Sequence, residues 1–150
     1  MSNPQPRISS ARPEMTANLM AQTGLDEDIL HTLVHRFYDR VRADPVLGPI
    51  FAARITDWGP HLERMVDFWS SVALMTGRYH GSPVLAHRGL PIAWPHFERW
   101  LALFRQTAHE VCPPEGAEHV ISRAERIARS LHYAADTAAR EARGAPPSLG

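Results

Sequence analysis

The chain has little of what marks several classes of protein. Its 150 residues include a single cysteine, Cys112, and no lysine, and its 16 arginines balance 16 acidic side chains. One cysteine cannot form an internal disulfide, and its free thiol is typical of a reducing compartment, so we expect a cytoplasmic protein. Balanced charge gives no electrostatic basis for a nucleic-acid or anionic-membrane partner.

Long apolar runs are absent too. No run approaches the roughly 18 residues that a membrane-spanning helix needs. The N-terminal stretch MSNPQPRISSARPEM lacks the apolar segment of a secretory signal. With 44% hydrophobic residues, the chain carries enough apolar surface for one ordinary folded domain.

Apolar residues instead recur at helical spacing along most of the chain. The buried stripes begin at Leu30, His61, Phe97 and Val120. No segment shows the period-two alternation of a strand, so we expect an all-α fold.

The polar and proline-rich ends predict the limits of the domain. We expect flexible tails over residues 1–22 and 144–150 and a globular domain over residues 23–143. Within the domain, Thr56 or Asp57 is expected to cap the helix that carries His61.

Two histidines flank what reads as one apolar cleft. His61 shares a helical face with Met65, Phe68 and Trp69, and the following segment PVLAH presents His87. Two imidazoles aimed at one apolar cleft suit a flat, apolar ligand that carries a metal. Haem is the first such ligand to consider.

Three hydrogen-bonding tips lie on buried stripes of three different helices. They belong to Tyr38, His61 and Trp100. Each could find a backbone carbonyl or a water at the edge of the core, because an unpartnered buried polar tip costs about 1–3 kcal/mol. If all three face one cavity, a bound polar diatomic molecule or water satisfies them together.

Five segments then match a known family in order and spacing. They are FYDRVRADPVLGPIF, HLERMVDFWSS, GRYHGSPVLAHRGLP, HFERWLALF and RAERIARSL. With them, the chain from about Leu25 to Ala139 resembles a group III truncated haemoglobin. The resemblance implies a shortened globin fold, a two-on-two helical sandwich around haem b. It also implies that His87 is the proximal iron ligand, with the carbonyl of Pro83 or Val84 accepting its second N–H.

The resemblance also assigns the distal side. It matches Tyr38 and Trp100 to donors that hydrogen-bond bound oxygen, which implies high affinity and slow release. It matches His61 to a distal histidine that gates entry more than it binds the ligand. We expect the charge of His61 to change near pH 6.5, so that acid favours an outward position.

The walls of the haem site are predicted from apolar placement. The candidates, each of which also fits an ordinary core position, are Phe37, Phe51, Met65, Phe68, Leu90 and Trp94. Arg64 is placed to pair with a haem propionate. The sequence is equally consistent with an arginine that is exposed to solvent and has no such partner. The histidines expected at the surface are His80, His96, His109, His119 and His132.

Together these features predict a haem protein that binds oxygen and related diatomic ligands at a five-coordinate iron. Slow release favours oxygen, nitric oxide or peroxide chemistry over bulk oxygen transport. If the protein is a catalyst, an unidentified reductase supplies its electrons. The alternative is a gas or redox sensor that acts through a separate partner protein. A third possibility is a haem-free helical module with a lipid-like ligand, which would be colourless.

Overall fold

The computed structural model describes residues 9–83, 87 and 92–144. Among them, six helices follow one another: α1 (Pro13–Thr23), α2 (Glu27–Ala43), α3 (Leu47–Arg54), α4 (Trp58–Leu74), α5 (Trp94–Val111) and α6 (Pro114–Ala142). The described residues contain no strand, so the all-α prediction is confirmed. Leu90 and Val84 lie outside the described residues.

The helices pack as two pairs. α2 packs against α4, and α5 packs against α6, while contacts of α2 with α5 and of α4 with α6 join the pairs. The short helix α3 crosses between α2 and α5. This is the predicted two-on-two arrangement. No helix in the described part of the chain is long and apolar enough to cross a membrane.

Local sequence signals explain where several helices begin. The carboxylate of Asp26 accepts the backbone N–H of Ile29 at 2.8 Å and caps α2. Asp44 accepts the backbone N–H of Leu47 at 2.8 Å at the start of α3. Arg99 of α5 donates to the same carboxylate at 2.7 Å, and this hydrogen bond holds the pKa of Asp44 below its usual value. Asp57 occupies the N-cap position of α4, but its side chain makes no capping hydrogen bond.

Residues 13–22, predicted to belong to a flexible tail, instead form helix α1. Pro13 opens the helix, and Gly24 ends it with a left-handed φ of 72°. Thr16 is 2% exposed, and its hydroxyl donates to the carbonyl of Leu74 at 2.7 Å. The sequence predicted a tail from its polar composition. The contact that stabilises α1 joins it to a distant helix, so no local sequence pattern indicates it.

Side chains from other helices donate hydrogen bonds to the backbone carbonyls at the C-terminal end of α4. Its last carbonyls lack partners within the helix. The carbonyl of Leu74 accepts from Thr16, and the carbonyl of Ala73 accepts from Nε2 of His119 at 2.8 Å. Arg123 donates to the carbonyl of Val72 at 3.3 Å. The prediction that His119 lies at the surface is therefore wrong: it is half-buried, and burial lowers its pKa.

Aromatic rings fill the centre of the sandwich. Phe104 stacks on Trp69 with ring centroids 4.8 Å apart and on Trp100 at 5.6 Å. Phe37 meets both Phe104 and Trp100 edge to face. These packed rings fix the directions of the neighbouring side chains on α2 and α5, including Tyr38.

We expect Thr16→Val to lower the free energy of unfolding in urea by about 1–3 kcal/mol, because the buried carbonyl of Leu74 loses its donor while the shape is kept. Thr32→Val is the matched control. The Thr32 hydroxyl donates to the Asp28 carbonyl in an exposed part of α2, so its loss should change stability by no more than about 0.5 kcal/mol. Equal effects of the two substitutions would show that α1 does not stabilise the end of α4.

Candidate functional site

A cavity of about 370 Å³ opens between the two helix pairs. Its lining comes from α2, α3, α4, α5 and α6 and from the segment after α4. The volume lies within the range of small-molecule and cofactor sites, and most of the lining is apolar. The cavity is therefore the place in the fold to look for a bound ligand.

The four polar residues singled out from the sequence all line this cavity. They are Tyr38 on α2, His61 on α4, Trp100 on α5 and His87 in the segment after α4. Of the predicted wall residues, those that also line it are Phe51, Arg64, Met65 and Phe68. Residues far apart in the sequence therefore meet at one cavity.

His61 is held inward with an unused ring nitrogen. Its Nε2 is buried and has no hydrogen-bond partner among the described residues. The ring meets Tyr38 edge to face, with centroids 5.3 Å apart, and Trp58 at 5.4 Å. Burial, helped by the charges of Arg64 and His87, lowers the pKa of His61 from 6.5 to about 4. In this position the imidazole is neutral at pH 7. The sequence suggested a change of charge near pH 6.5, but the inward His61 changes its charge only at lower pH.

Tyr38 remains a neutral hydrogen-bond donor. It is 5% exposed, and burial raises the pKa of its hydroxyl far above the ordinary value. No described residue hydrogen-bonds to that hydroxyl. Its ring is braced by Phe37 and Phe51, with centroids 5.0 and 6.0 Å away. A donor that is rigid, protonated and without a hydrogen-bond partner among the described residues is suited to a polar ligand.

Trp100 is placed by the stack beneath it. Its ring lies nearly parallel to Phe104, at an interplanar angle of 14°, while Phe37 meets it at 88°. No described residue accepts a hydrogen bond from its indole N–H. With Tyr38 and His61, three groups that can hydrogen-bond border one cavity without a partner among the described residues, and the buried Nε2 of His61 is unfavourable there without a ligand or water.

His87 has the geometry of a metal ligand. Its Nδ1 lies 2.6 Å from the carbonyl oxygen of Pro83. A carbonyl only accepts, so Nδ1 carries the proton, and Nε2 keeps its lone pair. A histidine oriented in this way by a backbone carbonyl is typical of metal sites. Of the two carbonyls that the sequence left open, the structure uses Pro83.

Two predicted wall residues do not line the cavity. Phe37 is 1% exposed and packs one layer behind Tyr38. Trp94, the first residue of α5, stacks on Phe97 at 6.2 Å and lies 5.3 Å from the ring of His132. Helical periodicity gives the buried face of a helix but not the depth of a residue within the core, so the sequence could not separate these two residues from ordinary core positions.

Several lining residues were not anticipated. Among them are Arg54, Tyr79, His96, Ile127 and Leu131. His96 was predicted to lie at the surface. It is half-buried, and its Nδ1 accepts the backbone N–H of Ala93 at 2.9 Å at the start of α5. The stripe of α6 was visible in the sequence, but nothing in it indicated that part of this stripe faces a cavity and not another helix.

Charge in the cavity lining has one sign. Arg54 and Arg64 are the lining residues with permanent charge, and no described lining residue is acidic. An apolar cavity with two guanidinium groups fits an apolar disc that carries carboxylates on one edge.

The metal-ligating side chains of the protein also fit an apolar disc, provided that the disc brings its own metal. No cluster of three or more His, Cys, Asp or Glu side chains suited to a metal ion occurs in the described ranges. A free zinc ion needs three or four protein ligands. The imidazole of His87, oriented by a backbone carbonyl, suits a metal that a macrocycle already holds, so the residues present fit a haem.

Comparisons with known proteins agree with this geometry. The model of the bacterial-like globin family matches residues 18–134. The chain is 33% identical over 109 residues to the group 3 truncated haemoglobin ctb of Campylobacter jejuni, covering 69% of this chain and 86% of that protein. It is 28% identical over 110 residues to the group 2 truncated haemoglobin YjbI of Bacillus subtilis, covering 71% and 83%.

A solved structure shows the same fold. The crystal structure of a group III truncated haemoglobin from Campylobacter jejuni superposes with a TM-score of 0.69 at 32% identity, over 74% of this chain and 91% of that one. The predicted family is confirmed by these matches. The chain belongs to the bacterial-like globin family, among the group III truncated haemoglobins, and so to the haem proteins that bind small diatomic gases.

Proposed function

We propose that this protein binds one haem b through His87 and takes dioxygen and related diatomic gases on the opposite face. The observation that carries the proposal is the hydrogen bond from Nδ1 of His87 to Pro83, which leaves Nε2 available beside an apolar cavity. The chain contains no CxxCH sequence, so the haem is held without covalent bonds. The haem supplies an iron with one open coordination position.

The walls of the cavity have separate roles in this proposal. Met65 and Phe68 of α4 and Phe51 of α3, which line the cavity, would contact the apolar surface of a bound porphyrin. Arg64 and Arg54, which lie exposed at the cavity, are placed to meet the propionates. Exposed ion pairs of this kind contribute only about 0–1 kcal/mol each, so the apolar contacts and the His87 bond dominate binding.

Tyr38 and Trp100 determine how long a charged ligand stays. Dioxygen held by a haem iron would carry partial negative charge, and the fixed O–H and N–H donors of the buried cavity would stabilise that charge. Two donors give high affinity and slow release, which is unsuited to bulk oxygen delivery. We therefore propose chemistry on the bound ligand, in the manner of a nitric oxide dioxygenase or a peroxidase, with electrons from a separate reductase.

We expect His87→Gly to abolish or greatly weaken haem binding, because the only proximal bond to the metal is lost. Added imidazole should restore the absorption spectrum by occupying the vacated space. Acid acetone should extract the haem from the wild-type protein. An unchanged ferrous spectrum in His87→Gly would contradict the assignment of His87, and colour that stays with the protein pellet would contradict non-covalent binding.

We expect Tyr38→Phe to speed oxygen release about ten- to a hundredfold, which corresponds to roughly 1.4–2.7 kcal/mol. Carbon monoxide carries less charge and should respond much less. Stopped-flow measurement of both ligands separates a donor from a steric effect, since a steric effect would change both rates alike. Tyr133→Phe is the control, because Tyr133 is 52% exposed on α6.

We expect ligand association in the wild type to rise as the pH falls from 6.5 towards 4. The inward His61 has a pKa of about 4, whereas an imidazole in water titrates near 6.5. Protonation in this window therefore favours the outward position and opens the entrance.

The matched variants separate a gate from a donor. In His61→Ala, association should be faster and nearly independent of pH, while His109→Ala on the exposed side of α5 should keep the wild-type profile. Unchanged association together with altered oxygen release in His61→Ala would show that His61 is a direct donor and not a gate.

A further inference from the structure

The first turn of α4, which carries His61, has few local stabilising features. Asp57 at the N-cap position makes no side-chain hydrogen bond to the helix, and the first turn contains no acidic residue. Gly59 and Pro60 occupy that turn. A helix N-terminus without a side-chain cap forgoes about 0.5–2 kcal/mol of stabilisation. Contacts with other elements must therefore hold this turn in place.

Trp58 provides such a contact on the outer side of His61. It is the first residue of α4 and lies one turn before His61. Its ring meets the His61 ring at 5.4 Å and 88°, and the Tyr38 ring at 5.9 Å. Trp58 is half-buried and is not among the residues that line the cavity. His61 therefore has the cavity on one side and the indole of Trp58 on another.

Arg42 fixes Trp58 from the neighbouring helix. Its guanidinium carbon lies 4.5 Å from the centroid of the Trp58 ring. Arg42 is exposed in the last turn of α2, and it forms no ion pair with any described residue, so the indole is its partner. A cation over a tryptophan face contributes about 0.5–1 kcal/mol at an exposed site. The contact joins the end of α2 to the start of α4.

We propose that Arg42 is a positioning residue that, through Trp58, holds His61 in its inward position and slows the entry of ligands. When His61 swings outward, it must leave its edge-to-face contacts with Tyr38 and Trp58. A Trp58 ring held by Arg42 keeps the inward contacts in place, whereas a released ring lets the first turn of α4 move with His61. The proposal rests on the proposed haem function, since entry is measured by ligand binding.

The test is laser photolysis of the ferrous carbon monoxide complex at pH 7, followed by the rate of rebinding from solution. Arg42→Ala should raise the association rate about two- to fivefold, the factor that the cation–π contact represents. Arg42→Lys keeps a cation over the ring and should stay close to the wild type. Arg36→Ala removes another exposed arginine of α2 and is the matched control.

A double-variant cycle shows whether Arg42 acts through His61. In the His61→Ala protein, the entrance is already open, so adding Arg42→Ala should change the association rate no further. A persistent increase in that background, or an unchanged rate in Arg42→Ala alone, would overturn the proposal. Carbon monoxide release should be the same in all these variants, and a faster release in Arg42→Ala would indicate general loosening of the site.

The result that would overturn the haem proposal differs from the result that would overturn the role of Arg42 alone. If the wild-type protein takes up no haem, it gives no ferrous carbon monoxide spectrum, and that result overturns the proposed function together with the role of Arg42. If the wild type and Arg42→Ala give the same spectrum and differ only in entry rate, both proposals hold.

Discussion

One hydrogen bond, from Nδ1 of His87 to the carbonyl oxygen of Pro83, determines what the cavity can hold. It fixes the tautomer of the imidazole and leaves the Nε2 lone pair available. Without it, His87 would be one more half-buried histidine at the edge of an apolar core. With it, His87 presents an oriented Nε2 beside largely apolar walls, and a metal carried in a macrocycle fits both features. The donors Tyr38 and Trp100 would act on a small ligand only with such a group between the helices.

The donors depend in turn on the aromatic packing behind them. Phe37, Phe104 and Trp69 form a continuous set of stacked and edge-to-face rings under Trp100 and beside Tyr38. Packed rings have few alternative rotamers, so the polar tips that they support are preorganised. Burial in the same packing raises the pKa of the Tyr38 hydroxyl and lowers that of His61. Fold and chemistry are therefore linked through core packing.

Much of this could be predicted from the sequence, for identifiable physical reasons. Helical periodicity predicted the all-α class. Polar tips on apolar stripes brought Tyr38, His61 and Trp100 together, and the PVLAH segment placed His87 at the same apolar cleft as His61. Helical periodicity shows which face of a helix is buried, but not how deep a residue lies in the core. For this reason the sequence placed Phe37 and Trp94 at the cavity. Helix α1 was missed because it is held by the hydrogen bond from Thr16 to the end of α4. The lowered pKa of His61 could not be anticipated either, since burial between two rings is a property of the packed site.

The most direct test of haem binding in this cavity is titration of the haem-free protein with haemin, followed by Soret absorbance and tryptophan fluorescence. Trp69 and Trp100 line the cavity, so bound haem should quench their emission. We expect both signals to reach a sharp endpoint at one haem per chain, and reduction should then give the spectrum of a five-coordinate ferrous iron with one histidine ligand. A gradual rise in absorbance without an endpoint, or absorbance that changes without quenching, would place haem on the surface and contradict a haem site between the helices.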